Sequence, residues 1–298
     1  MYEDKTYAEV IADSIWDGVR LVSFRATLPT IVQFHLLRHR AFSFSFASMR
    51  AIPLKRQIEL VRENPFYPQK WPKNQPGMSA SENFEGEVEI HDIMTEWEGS
   101  LEEALRSAQG LATLGVHKEI ASRLLLPFSW STCIISTTMP GLDNFFAQRD
   151  HEDAQPEIRA LARAMRKALD ESRPAHTQWH IPFNPRIMAA TSDNFREAYM
   201  IRAVARCARV SYGREMEEKT IEEDVDLVTR LIRSKHWSPL EHIARARPRK
   251  EKEMTAEDLY WYDRDYRSNF DFPWMQLRRR WWSDLPTIAA RIDSEHST

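Results

Sequence analysis

The sequence predicts an α+β fold, a mixed sheet flanked by long helices, on three observations. Residues 19–26 and 128–138 are rich in β-branched and aromatic residues with partial alternation. Residues 84–113, 155–169 and 220–234 place apolar side chains at helical spacing. Hydrophobic residues make up 42% and charged ones 29% of 298 residues, a composition that folds around a core.

In chain order, Val19 to Ala26 is a strand, ended by Pro29. Ile31, Val32, Phe34, Leu36 and Leu37 then predict a mostly buried helix that finishes at Arg38-His39-Arg40. From Ala41 to Ser48, Phe42, Phe44 and Phe46 alternate with Ser43 and Ser45, the period of an extended segment with one apolar and one polar face. Pro53 opens a helix through Leu54, Ile58, Leu60 and Val61, and the Pro-, Asn- and Gly-rich stretch 64–80 is a long loop. A helix over 84–113, whole or broken near Gly99, precedes another over 116–125 that Pro127 stops. The strand 128–138 is followed by helices over 144–148 and 155–169. Arg159, Arg163, Arg166 and Lys167 give the second of these a solvated face.

Several prolines and little periodicity mark 173–195 as a linker between a body, 1–172, and a C-terminal segment, 196–298, that completes the same fold. That segment begins with a helix to about Cys207, then a short strand Ala208 to Tyr212. A helix over 220–234 follows, entered through the capping-box pattern Thr220-Ile221-Glu222-Glu223. The mixed run 249–253 reads as a solvated loop or helix start. The cluster Trp274 to Trp282 reads as a helix packing its tryptophans.

A formal charge of −3 argues against a wholly basic, nucleic-acid-covered surface and confines any anion site to a local cleft. Cys133 and Cys207 are far apart and lack partners at metal-ligand spacing. No disulfide framework or zinc site is therefore expected, and a reducing cytoplasm fits. An acidic N-terminus and the lack of a long apolar run speak against secretion and membrane spanning.

Arg38-His39-Arg40, followed by Ser43, Ser45, Ser48 and Arg50, can cradle a phosphorylated ligand, because guanidinium groups grip phosphate bidentately and hydroxyls add neutral donors. On spacing alone, cationic residues that complement a helix dipole explain the same pattern. Arg38-His39-Arg40, seven residues and Ser48, with Arg50 two further on, resembles the signature of the flavin-dependent thymidylate synthase family. Glu119 to Arg123, Asp143 to Arg149 and Ala154 to Arg159 resemble the family in order and approximate spacing. Cys207 to Tyr212 and Ser238 to His242 lie after the Arg-His-Arg motif, as in the longer, phage-associated branch, which Arg50 to Lys55 and Lys73 to Met78 also resemble.

The resemblance implies a flavin-dependent thymidylate synthase-like fold and a homotetramer with FAD and dUMP bound between subunits. Methylenetetrahydrofolate is then the one-carbon donor and NADPH the reductant of the flavin. By motif match, Arg38, His39, Arg40, Asn144 and His242 fall at cofactor positions, and His35, Ser48, Arg50, Arg123 and Arg149 at substrate positions. Arg149 and Ser48 lie nearest the chemistry, Ser48 as a ligand contact and not a nucleophile. The implied location is the cytoplasm, that of the host for a phage-encoded protein, with no membrane partner and no nucleic acid.

The chain departs from the family at Ser45 and Phe46, where Asn and Glu are usual, and at His35, where Gln or Glu is common. Three functions stay open. They are methylation of dUMP to dTMP, hydroxymethylation of dUMP or dCMP on the same scaffold, and non-catalytic nucleotide or nucleic-acid binding. Taken singly, Arg123 also reads as a helix cap, Arg149 as a surface partner of Asp150 or Asp153, and His39 and His242 as packed histidines.

Overall fold

The computed structural model describes residues 4–76, 82–183, 193–247 and 269–278, with backbone alone for 193–197. Its centre is a five-stranded mixed sheet in the order β3-β4-β2-β1-β5, formed by β1 (Tyr7–Trp16), β2 (Val19–Pro29), β3 (Ser43–Phe46), β4 (Trp130–Thr138) and β5 (Ala175–His176). All neighbours are antiparallel except β1 and β5. The turn between β1 and β2 is Asp17-Gly18, both at positive φ, which the twist of a tight hairpin requires.

The strict alternation of β2 and β4 sorts their side chains onto two covered faces. Val22, Phe24, Ala26, Leu28, Cys133 and Ile135 point to one side, where α5 (Met139–Arg149) and α6 (Pro156–Glu171) pack against them through Phe145, Leu161 and Met165. Burying each of these larger side chains is worth roughly 1.5 to 3 kcal/mol before entropy is counted. Leu21, Ser23, Ile134 and Ser136 point to the other side, beneath the C-terminal segment.

That segment contains α7 (Asp193–Arg209) and α8 (Ile221–Arg233), which share a core of Val204, Val228, Ile232 and Leu240. Its β7 (Ala244–Ala246) and β8 (Trp274–Gln276) form a three-stranded antiparallel sheet with β6 (Trp179–His180), which precedes it. A third cluster joins α2 (Leu54–Glu63), the long α3 (Glu87–Thr113) and a 3-10 segment, Ser122–Phe128, through Val61, Leu105 and Leu125.

The alternating Phe and Ser residues of β3 divide as expected. Ser43 and Ser45 are buried beneath the C-terminal segment, and Phe44 and Phe46 stack on each other against the main core. The capping box of α8 is formed in both directions by Thr220 and Glu223. Both cysteines are buried free thiols, and burial pushes their pKa upward.

Several local expectations are decided or corrected. Helix α3 runs through Gly99 unbroken, because its packed flanks outweigh the intrinsic cost of one glycine. After Pro29 a 3-10 turn and the four-residue α1 (Gln33–Leu36) replace a full helix, and 116–125 holds only α4 (Lys118–Ala121) before the 3-10 segment. Val210–Tyr212 is a 3-10 turn, closed by Gly213 at φ 66, and not a strand. Trp274 to Gln276 is a strand, with Trp274 buried and its indole N–H donated to the Val19 carbonyl, so this part of the tryptophan cluster is not helical. Residues 173–183 of the expected linker contribute β5 and β6 to the two sheets. Gly77, Met78, the rest of that linker to 192, the run 249–253 and Arg279 to Trp282 lie outside the described residues.

Candidate nucleotide and cofactor site

The sequence candidates gather at two places and leave two residues apart. The first group stands where α1 ends and α5 ends. His39 is buried against the rings of Phe42 and Phe145, and its Nε2 accepts a hydrogen bond from Arg149 Nε at 3.1 Å. That bond fixes His39 as a neutral imidazole. Burial, then the charges of Arg149 and Arg38, lower its pKa to about 4. The same three causes, in the same order, lower the pKa of His35. Burial and then Arg38 lower that of Arg149.

These shifts describe a surplus of positive charge. Arg38 and Arg149 depress each other's neighbours, and no carboxylate enters the balance at either histidine. Asp150, the expected surface partner of Arg149, is instead taken by Arg163 at 3.1 Å and Arg166 at 3.2 Å. Arg38 and Arg40 are exposed on the same turn, and Asn144 lies on the exposed face of α5, its Oδ1 accepting from Gln148 Nε2. Gly141 lets α5 begin close to this turn, since a Cβ there would meet Thr137 Oγ1 at 2.2 Å and Ala41 Cβ at 3.4 Å.

Ser48 and Arg50 form the second group, on one wall of a cavity of about 1110 Å3. The opposite wall is C-terminal: Ser211, Tyr212, Arg214, Lys219 and Arg230 line it. The two walls are joined where the Ser48 N–H donates to the Ser211 carbonyl at 3.1 Å. Arg50 is exposed and lies 3.6 Å from Glu119, a contact that water screens. The volume is at the upper end of the range for small-molecule sites. Arg214, Lys219 and Arg230 went unnoticed in the sequence because each sits in an ordinary mixed-charge run.

Arg123 is brought to neither place. It is exposed on the 3-10 segment and does not line the cavity. His242 is fully buried, and both of its ring nitrogens are engaged, Nδ1 by Ser136 Oγ and Nε2 by Ser45 Oγ, each at 2.9 Å. In this chain it therefore has no nitrogen to offer a ligand.

Comparison with known proteins identifies the family. The family model described as thymidylate synthase complementing protein matches residues 20–175, just over half of the chain and all of the first group. The chain belongs to that family. No curated protein sequence matches it. Solved structures similar to this member of the family include a UMP/dUMP methylase, PolB, from Streptomyces cacaoi bound with 5-Br dUMP. It is 20% identical with a TM-score of 0.43, covering 51% of this chain and 67% of that one. The same protein bound with 5-Br UMP is 17% identical with a TM-score of 0.46, covering 57% and 91%. Among the described residues of this family member, no helix is long and apolar enough to cross a membrane.

Proposed function

We propose that the chain is a flavin-dependent enzyme that transfers a one-carbon unit from methylenetetrahydrofolate to C5 of a pyrimidine deoxynucleotide, converting dUMP to dTMP. The observation that carries this reading is the cluster of Arg149 and Arg38 about His39, whose Nε2 accepts from Arg149 Nε at 3.1 Å, inside the span that matches the family. A dianionic phosphate and a uracil ring that gains negative charge as C5 is activated both require fixed cations that water does not screen.

The donor set fits a flavin dinucleotide. Arg38 and Arg40 are exposed cations able to meet its diphosphate, and Asn144 adds an amide beside them. Arg38, His39, Arg40 and Asn144 would hold FAD, which supplies the electron pair that completes the methyl group once NADPH has reduced it. Ser48 and Arg50 from the cavity wall, and Arg149 with His35 from the other place, would hold the nucleotide across a contact between subunits. His39, neutral at physiological pH, keeps the Arg149 guanidinium aimed without adding a competing charge. Arg123 and the exposed Arg38 and Arg40 are suited to a site shared between subunits, and a homotetramer in the cytoplasm is the assembly proposed.

A second reading, hydroxymethylation of dUMP or dCMP, is favoured by β3. Phe46 stacks on Phe44 and Ser45 is committed to His242, so neither position supplies a carboxylate to the substrate. The absorbance spectrum of the purified protein, with dUMP and dCMP added separately, tests both. Flavin bands perturbed by dUMP support an enzyme acting on dUMP, with the mass of the product separating methylation from hydroxymethylation, and bands perturbed by dCMP alone support the second reading. A colourless protein that stays without flavin bands after FAD is added would overturn the flavoenzyme assignment.

A further inference from the structure

Six buried side chains form one continuous line across the central sheet. Ser45 of β3 contacts His242 Nε2 at 2.9 Å, and His242 Nδ1 contacts Ser136 of β4 at 2.9 Å. Ser136 contacts Ser23 of β2, and Ser23 contacts His180 Nε2 at 2.7 Å. His180 Nδ1 contacts Ser14 of β1 at 3.0 Å, and the Ser14 hydroxyl donates to the Trp179 carbonyl at 3.4 Å. All six side chains are buried, from 0% to 5% exposed.

The last acceptor sets the sense of the whole line. A carbonyl oxygen cannot donate, so where the single Ser14 proton is given to Trp179, Ser14 accepts from His180 Nδ1–H. A neutral imidazole protonated at Nδ1 has an acceptor at Nε2, so Ser23 donates to it. Ser23 has then no second proton and accepts from Ser136, which in turn accepts from His242 Nδ1–H. His242 Nε2 is left as the acceptor of the Ser45 hydroxyl. The opposite sense would make every bond but the last, the one from Ser14 to the Trp179 carbonyl.

We propose that these residues are a one-way hydrogen-bond strut, running from Ser45 to Trp179, and that His242 is a positioning residue for the nucleotide cavity. Ser45 lies three residues before Ser48 on one wall. His242 closes the 3-10 turn Ser238–His242, whose Pro239 lines the cavity from the C-terminal side. The Ser45 to His242 bond thus ties the segments that carry the two walls. Burial lowers the pKa of both histidines to about 3, with a further small push at His242 from His180, so both stay neutral and the sense of the strut is kept. The line ends at a carbonyl held in β6, so it has no outlet and orders the walls without conducting protons. The positioning role rests on the reading of this cavity as the nucleotide site; the sense of the strut does not.

Imidazole nitrogen NMR on the full chain, labelled at histidine, tests the sense. The expected spectrum has the proton on Nδ1 in both His180 and His242, and Ser14→Ala should turn each into a mixture of tautomers. A proton on Nε2 of either residue in the wild-type chain would overturn the proposal. Equilibrium binding of dUMP tests the positioning role. Ser45→Ala should weaken it by about fivefold, and Ser45→Thr, which keeps the hydroxyl, should return it to within about twofold of the wild type. Equal affinity for Ser45→Ala and the wild type overturns the positioning role. Failure of the wild type itself to bind dUMP would count against the proposed function, and the nitrogen spectra would still decide the strut.

Discussion

Lowering the pH should unfold this protein through two residues that never meet solvent. His180 and His242 are fully buried, and burial lowers both from an ordinary 6.5 to about 3. In the unfolded chain each binds a proton as the pH falls through 6.5, whereas in the folded chain neither does until about 3. The unfolded state therefore takes up protons first, so the stability these groups contribute is complete above pH 6.5 and is lost as pH falls toward 3. At pH 4.5 the loss is about 2.7 kcal/mol for each histidine, roughly 5 kcal/mol for the pair. That is comparable with the whole stability of a marginal domain. Urea unfolding followed by tryptophan fluorescence between pH 7 and 4.5 measures it. His180→Asn and His242→Asn, which carry an amide but no titrating group, should each lose less stability over that interval than the wild type, by about 2.7 kcal/mol. The reasoning is refuted if the variants lose as much as the wild type, or if the NMR signals of either imidazole titrate above pH 5 in the folded protein.

Arg149→Ala should weaken nucleotide binding by roughly 1.5 to 3 kcal/mol, the range for a charge-assisted hydrogen bond, and calorimetric titration with dUMP measures it. The same substitution removes one of the two charges that hold His39 down, so the His39 pKa should rise; an unchanged value would exclude the charge effect. Asp224→Ala leaves the buried Arg209 guanidinium without its carboxylate and should cost about 3 to 5 kcal/mol in denaturant unfolding, far more than loss of the exposed Glu103 partner of Arg106.

Much of the sheet was legible because β2 and β4 alternate over nine or more residues and their two faces differ in kind. Strand β1 was not, since Tyr7–Trp16 interleaves Ala, Glu, Asp and Ser, and a register shift between Val10 and Ala12 breaks its period. Val210 and Tyr212 suggested a strand through their β propensity, and Gly213 closes them into a turn instead. At the candidate site, Arg38-His39-Arg40 with Ser48 and Arg50 stood out because they are neighbours in sequence, and the structure sets them at two places. The pairing of His39 with Arg149 needed the fold, which brings together side chains 110 residues apart. The buried line of serines and histidines was not legible as a line: its six members sit on separate elements, and only Ser45 and His242 stood out, each for another role.

The cavity has one wall from residues before 120 and the other from the last third of the chain. Its two sides are held by a bond between Ser45 and His242, 197 residues apart in sequence. During synthesis the first four strands and α6 are complete long before residue 211 leaves the ribosome, so the main core can assemble ahead of the cavity. A nascent or truncated chain of that length would present a sheet whose Ser23, Ser45 and Ser136 hydroxyls face water and a Ser48 to Arg50 wall with nothing opposite it. The cavity is thus complete only once the C-terminal segment is in place.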